Sequence, residues 1–194
     1  VDQFAVVIKS CGEFFASPRH RCSQTHTDGS WALAYGVPMP DVLGMYKKAS
    51  AIPVVGNRVF DFAFAQMAPY FWSVRPRFKV IEPNHAEVVI PKRRGVQNHI
   101  GTVHAIALCN GLEAAMGALA EATIPLDKRW IPKGMEVSYT AKATSDITCH
   151  ADTDPAQWTG DDPDLPVRVK GVRDDGTVVI EGVIRLWVTP KSAK

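Results

Sequence analysis

The alternation of apolar and polar positions is sharpest in the C-terminal half of the chain. Met135, Val137, Tyr139, Ala141 and Ala143 fall on one face of an extended segment, with Glu136, Ser138, Thr140 and Lys142 on the other, which predicts an amphipathic strand. Ile147, Cys149 and Ala151 alternate with Thr148, His150 and Asp152 in a second strand. Residues 167–172 and 178–188 make a third and a fourth, joined through Asp174-Asp175-Gly176, where glycine supplies the positive φ of a tight hairpin. The acidic, proline-bearing stretch from Asp152 to Pro166 predicts a long mobile loop.

Upstream, the period changes. Asp41 is placed to cap a short helix through Lys48, and Asn57 a second through Met67 with Phe60, Phe64 and Met67 at helical spacing; Pro69 stops it. Residues 78–82 and 86–90 read as two strands joined by the turn dipeptide Pro83-Asn84. After the basic run Lys92-Arg93-Arg94 and a loop through Gly101, Thr102 is placed to cap a long helix reaching about Ala122. The order is therefore strand, long helix, then four antiparallel strands, an α+β architecture.

That helix has almost no polar face. Between Val103 and Ala120 the one formal charge is Glu113, so most of the circumference needs cover. A curved antiparallel sheet wrapped around one helix supplies it, and two such sheets paired edge to edge in a dimer supply more. Burying an unpaired carboxylate is costly and raises its pKa toward the range of a general base, which makes Glu113 the first chemical lead. The alternative is that Glu113 sits at a solvent gap in the cover. His104 lies nine positions earlier, on the opposite face and roughly 13 Å away along the axis, so the two cannot share a site within one helix. Antiparallel copies meeting across a two-fold axis would bring the first turn of one, with its unsatisfied N–H groups, to the middle of the other.

Composition narrows the classes. The 194 residues carry 22 Lys+Arg against 20 Asp+Glu, a net charge of +2 that is too small for a nucleic-acid footprint and is not the excess that keeps a chain disordered. Four cysteines, at 11, 22, 109 and 149, are too scattered for a disulfide scaffold and read as free thiols in a reducing cytosol. The apolar stretch from Phe4 to Ile8 is too short for a signal peptide, so a cytoplasmic location is expected, without a membrane partner. Residues 1–38 show little periodicity and are expected to be a poorly structured, loosely attached extension, with Met39 as the natural start of a domain covering 39–194. Cys11, His20, Cys22 and His26 lack the ligand order of a zinc module, and no metal is expected.

The run Asn98-His99-Ile100-Gly101-Thr102-Val103-His104-Ala105, followed by Glu113, resembles the hotdog-fold acyl-CoA thioesterases of the phenylacetyl-CoA type. Those enzymes carry an Asn, a His-Gly pair six residues on, and an Asp or Glu nine residues beyond the His. The segment from Lys128 to Met135 and the strand after it are similar to a hotdog subgroup known as a domain of unknown function. The resemblance implies a long central helix wrapped by a curved antiparallel sheet of about five to six strands, with short N-terminal helices. It also implies hydrolysis of an acyl-CoA thioester at a site shared between subunits of a homodimer or homotetramer, with coenzyme A as part of the substrate and no other cofactor.

By the same resemblance Glu113 would act as general base or nucleophile, and Asn98 of the other subunit would orient the attacking water or carboxylate. The Ala105 N–H would hold the thioester oxygen, and His104 would support that turn or polarise the carbonyl. Gly101 and Thr102 would line the substrate's approach, and Arg93, Arg94 and Lys133, beside Lys128 and Arg129, would meet the phosphates. Ala105 departs from the usual Gly, and its methyl group crowds the carbonyl's approach. A non-catalytic acyl-CoA-binding or sensing protein is the rival reading. A dehydratase is disfavoured by the lack of a His-Phe-Pro segment. Tyr70, Phe71, Trp72 and Phe78 are read as core or dimer contacts rather than an acyl pocket.

Overall fold

The structure, a computed structural model, describes residues 4–9, 41–53, 55–160 and 162–191. Its elements in chain order are β1 (Phe4–Lys9), α1 (Val42–Ser50), α2 (Gly56–Met67), β2 (Arg77–Glu82), β3 (His85–Ile90), α3 (Ala105–Thr123), β4 (Lys128–Tyr139), β5 (Ile147–Asp152), β6 (Asp164–Arg173) and β7 (Val178–Pro190). The strands form one antiparallel sheet in the order β1-β4-β7-β6-β5-β3-β2. With α3 lying across its inner face, this is a hotdog fold. The sheet has seven strands rather than five or six, the additional one being β1, paired with β4 from Phe4↔Tyr139 to Lys9↔Gly134. The expectation of a loosely attached extension over 1–38 otherwise lies outside the described residues.

Local chemistry explains most boundaries. Asp41 caps α1 by accepting the Gly44 N–H at 2.8 Å. Asn57 does not cap α2: the helix begins one residue earlier at Gly56, and Asn57 Oδ1 accepts the Ser50 hydroxyl at 3.0 Å, tying the two helices together. Asn84 takes a positive φ of 68° at the β2–β3 turn, and Gly176 one of 84° at the β6–β7 hairpin. The acidic stretch between β5 and β6 is tied to the core through Trp158. A short 3-10 turn, Pro155–Trp158, drives Trp158 into the core, where its Nε1 donates to Thr153 Oγ1 at 3.0 Å. Proline at the turn's start and the reciprocal Asp154–Gln157 cap stabilise it, and the acidic composition masked that anchor.

Helix α3 is long and apolar enough to cross a membrane, yet it is the core of this fold. Leu108, Leu112, Ala115, Met116 and Leu119 are buried with Ala86, Val88, Ile90, Ile147, Cys149 and Ala151 of the facing strands. The approach is close at Gly111, where a Cβ would lie 2.5 Å from Ile90 Cγ1 and 2.7 Å from Cys149 Sγ. The helix packs chiefly over β3 and β5 and touches β7 only lightly. A trough remains between the helix and the β4–β7 side of the sheet.

Candidate functional site

The trough forms a cavity of about 290 Å³ lined by Ile106, Cys109, Asn110 and Glu113 of α3, by Lys133 and Met135 of β4 and their neighbours, and by Tyr70 and Ile184. At about 100° per residue, Ile106, Asn110, Glu113 and Gly117 fall within about 60° of one another, on the side of α3 opposite the sheet-facing Gly111 and Ala115. Glu113 is thus at the solvent gap that the sequence left open as an alternative. It still reaches a pocket apolar enough that loss of solvation raises its carboxyl pKa above the ordinary range. Both readings of this residue hold together: the carboxyl is accessible and its charged form is disfavoured.

A second cavity of about 220 Å³ adjoins the first, sharing Tyr70, Ile106 and Asn110 as walls. His104, Ala107, Ser73, Gly95, Val96 and Gln97 complete much of its lining. His104 and Glu113 therefore face different cavities of one chain.

His104, and not Thr102, caps α3. Its backbone is extended, and its Nδ1 accepts the Ile106 N–H at 3.1 Å. That bond places the proton of the neutral ring on Nε2. The Ala105 N–H opens the helix as one of the amides that have no intrahelical acceptor.

Thr102 is held instead by Asn98. The Asn98 Oδ1 accepts the Ile100 and Thr102 N–H groups, each at 3.1 Å, and its Nδ2 donates to Thr102 Oγ1 at 2.8 Å. Gly101 makes the turn between them with φ 77°. In a single chain Asn98 thus builds the loop before α3, with one amide hydrogen still uncommitted.

The cations do not converge. Lys133 lines the Glu113 cavity, its Nζ 3.7 Å from Asp164 Oδ2 and 4.8 Å from the centre of the Trp187 ring. Arg93 lies on the His104 side, donating to the Ser73 carbonyl at 2.6 Å, and Arg94 is exposed in the neighbouring turn. The aromatic group divides as well: Phe78 is core, whereas Tyr70 is 68% exposed and walls both cavities.

The sequence reading missed Asn110. Only 5% of it is exposed, its Oδ1 is buried without a hydrogen-bond partner, and it stands between the two cavities. Its spacing of three from Glu113 and four from Ile106 was the available signal.

A family described as "Domain of unknown function (DUF4442)" matches residues 56–188. Among solved structures, the structural-genomics target APC5556 is 43% identical, with 76% of this chain and 99% of that one covered at a TM-score of 0.68. PA5026 from Pseudomonas aeruginosa, called a protein of unknown function and "Probable Thioesterase", is 22% identical over 80% of this chain and 99% of its own, with a TM-score of 0.58. The Haemophilus influenzae thioesterase HI1161 is 9% identical, covering 66% of this chain and 88% of its own at 0.57. No curated protein matches the chain. At these low identities the last two likenesses establish the shared fold.

Proposed function

We propose, for a chain that belongs to the DUF4442 family of hotdog-fold proteins, that it hydrolyses an acyl-CoA thioester in the cytoplasm at a site completed by a second copy of itself. The observation that carries this reading is Glu113, a partly desolvated carboxyl midway along a largely apolar helix, opening into a cavity. A base with a raised pKa holds a proton more firmly and is better matched to deprotonating water near neutral pH. The names of the fold neighbours from Pseudomonas and Haemophilus, "Probable Thioesterase" for the first and thioesterase for the second, lend support.

In this mechanism Glu113 takes a proton from water as the water oxygen attacks the thioester carbonyl. The carbonyl oxygen, gaining charge, is met by the Ala105 N–H at the head of the partner's helix, with the partner's His104 donating from Nε2. Collapse expels the coenzyme A sulfur, which recovers the proton. The partner's Asn98 directs its uncommitted amide hydrogen at the water, and Gly101 and Thr102 keep that loop in shape. Lys133 meets phosphate at the mouth of one cavity, and Arg93 and Arg94 flank the other. The dimer is favoured by apolar surface that one chain leaves uncovered, including Phe62, Trp72 and Ile106.

The test is release of free thiol from short, medium and aromatic acyl-CoAs by the wild type and Glu113→Ala. Turnover by the wild type that falls in the variant supports the proposal. Equal turnover refutes the role of Glu113, and tight binding without wild-type turnover replaces hydrolysis with sensing. Mixed oligomers of Glu113→Ala and Asn98→Ala chains regain activity if the site is shared.

A further inference from the structure

The outer face of the sheet, opposite α3, carries a cluster that the cavity chemistry does not use. Along β3, Ala86 and Val88 point into the core while His85 and Glu87 lie on the other face; along β5, Cys149 and Ala151 are buried while His150 and Asp152 face outward. The register sets His85 opposite Asp152 and Glu87 opposite His150, so two histidines and two carboxylates form a checkerboard on adjacent strands.

We propose that His85, Glu87 and His150 bind a divalent transition-metal ion of the zinc class on this face, with Asp152 orienting His85. Glu87 Oε1 lies 3.4 Å from His85 Nε2 and 3.4 Å from His150 Nδ1, and the three donor atoms all lie within 4.8 Å of one another. Bonds of about 2.0–2.1 Å to a tetrahedral centre place ligand atoms about 3.3–3.4 Å apart. Both Glu87 edges meet that spacing. As hydrogen bonds the same distances are long for a charged pair.

The fourth residue supports the assignment. His85 Nδ1 donates to Asp152 Oδ1 at 2.8 Å, and since an ionised carboxylate only accepts, the ring proton is on Nδ1. In the neutral ring the Nε2 lone pair is then the one that faces Glu87. Metal-binding histidines are held in this manner, the far nitrogen bonded to a carboxylate that fixes tautomer and ring direction. Imidazole and carboxylate donors suit zinc and its neighbours, whereas calcium and magnesium prefer oxygen alone. Glu87 and Asp152 offset the dication's charge. The nearby cations leave room: Arg168 is paired with Asp154 at 2.8 Å, and Lys170, opposite His150, is exposed. Three protein ligands leave one position for water or a donor from another molecule. The ion would join β3 to β5, strands whose ligands are more than sixty residues apart in sequence.

The experiment uses the full chain, freed of metal by chelation and without an affinity tag, titrated calorimetrically with Zn2+ alone. One ion per chain is expected, bound at least about tenfold more weakly by His85→Ala and by His150→Ala, and about 10–100-fold more weakly by Asp152→Asn. The Tm should rise with Zn2+ in the wild type and not in the double variant His85→Ala/His150→Ala. That variant retains Cys11, His20, Cys22 and His26, so Zn2+ binding as tight as in the wild type would overturn the proposal. Should the variants fail to fold, Co2+ added to the wild type decides: intense visible bands of a tetrahedral ion support the site, and their absence refutes it.

Discussion

His104 Nδ1 accepts the backbone N–H of Ile106 at 3.1 Å, so the histidine is at once the cap of α3 and a fixed donor at Nε2. The two roles separate by substitution. His104→Ala loses both and should cost about 0.5–1 kcal/mol of stability, whereas His104→Asn, a good capping residue, should restore the Tm. If Nε2 serves the reaction, His104→Asn remains as impaired in thiol release as His104→Ala. Thermal denaturation and the thiol assay, run on both variants, check this.

Replacing Glu113 by Gln removes the carboxyl while keeping its shape, and acyl-CoA hydrolysis should fall about 10²–10⁴-fold. The folded pKa lies above its unfolded value because partial loss of solvation beside the apolar cavity wall disfavours the charge. The native state therefore holds the proton more tightly, and Glu113 favours folding at low pH. As pH rises through the unfolded and then the folded pKa, that contribution is lost. Activity runs the other way, rising as the base ionises. The acid limb of kcat/KM should lie above the ordinary glutamate value of about 4.3.

At Gly111 two effects oppose each other. Alanine would gain about 1 kcal/mol of helix propensity, but its Cβ would stand 2.5 Å from Ile90 Cγ1 and 2.7 Å from Cys149 Sγ. Overpacking of a core costs about 1–3 kcal/mol, so Gly111→Ala should be destabilising overall, lowering the Tm by a few degrees. Urea denaturation measures the sign directly.

Trp158→Ala tests whether the acidic segment is anchored. It empties a buried site and strips Thr153 Oγ1 of its donor, at an expected cost of about 3–5 kcal/mol. A freely moving loop would show almost no change in the denaturation midpoint.

Asp175 at the β6–β7 hairpin is held down to a pKa of about 2 by hydrogen bonds from Arg173 and Thr177. Its stabilising effect is present above the unfolded value of about 3.9 and is lost as pH falls from there toward 2. NMR titration of its side-chain carbon should show the low value, and Arg173→Gln should raise it.

Much of the fold was legible because its signals are local. Period-two alternation marked β5 and the second half of β4, Asp-Asp-Gly marked the hairpin, and a nearly uncharged run marked the core helix. The misplaced caps had a common cause. Thr102 and Asn57 are competent capping residues, but Asn98 of the preceding loop engaged one and Ser50 at the end of α1 the other, pairings that a linear pattern does not reveal. Asn110 was passed over because one amide in an apolar helix looks incidental until the cavities on either side of it are seen.

The sequence by itself determined which residues alternate, where turns must fall, and that Glu113 is the one formal charge between Val103 and Ala120 of a helix that has to be covered. Those properties follow from backbone geometry and solvation, which act within a few residues. Only the tertiary structure decided that α3 lies over β3 and β5, leaving the trough that holds Glu113, and that β3 pairs with β5 so that His85 meets Asp152. Strand order is set by how the whole sheet closes over one helix, and neither contact has a cause within its own segment.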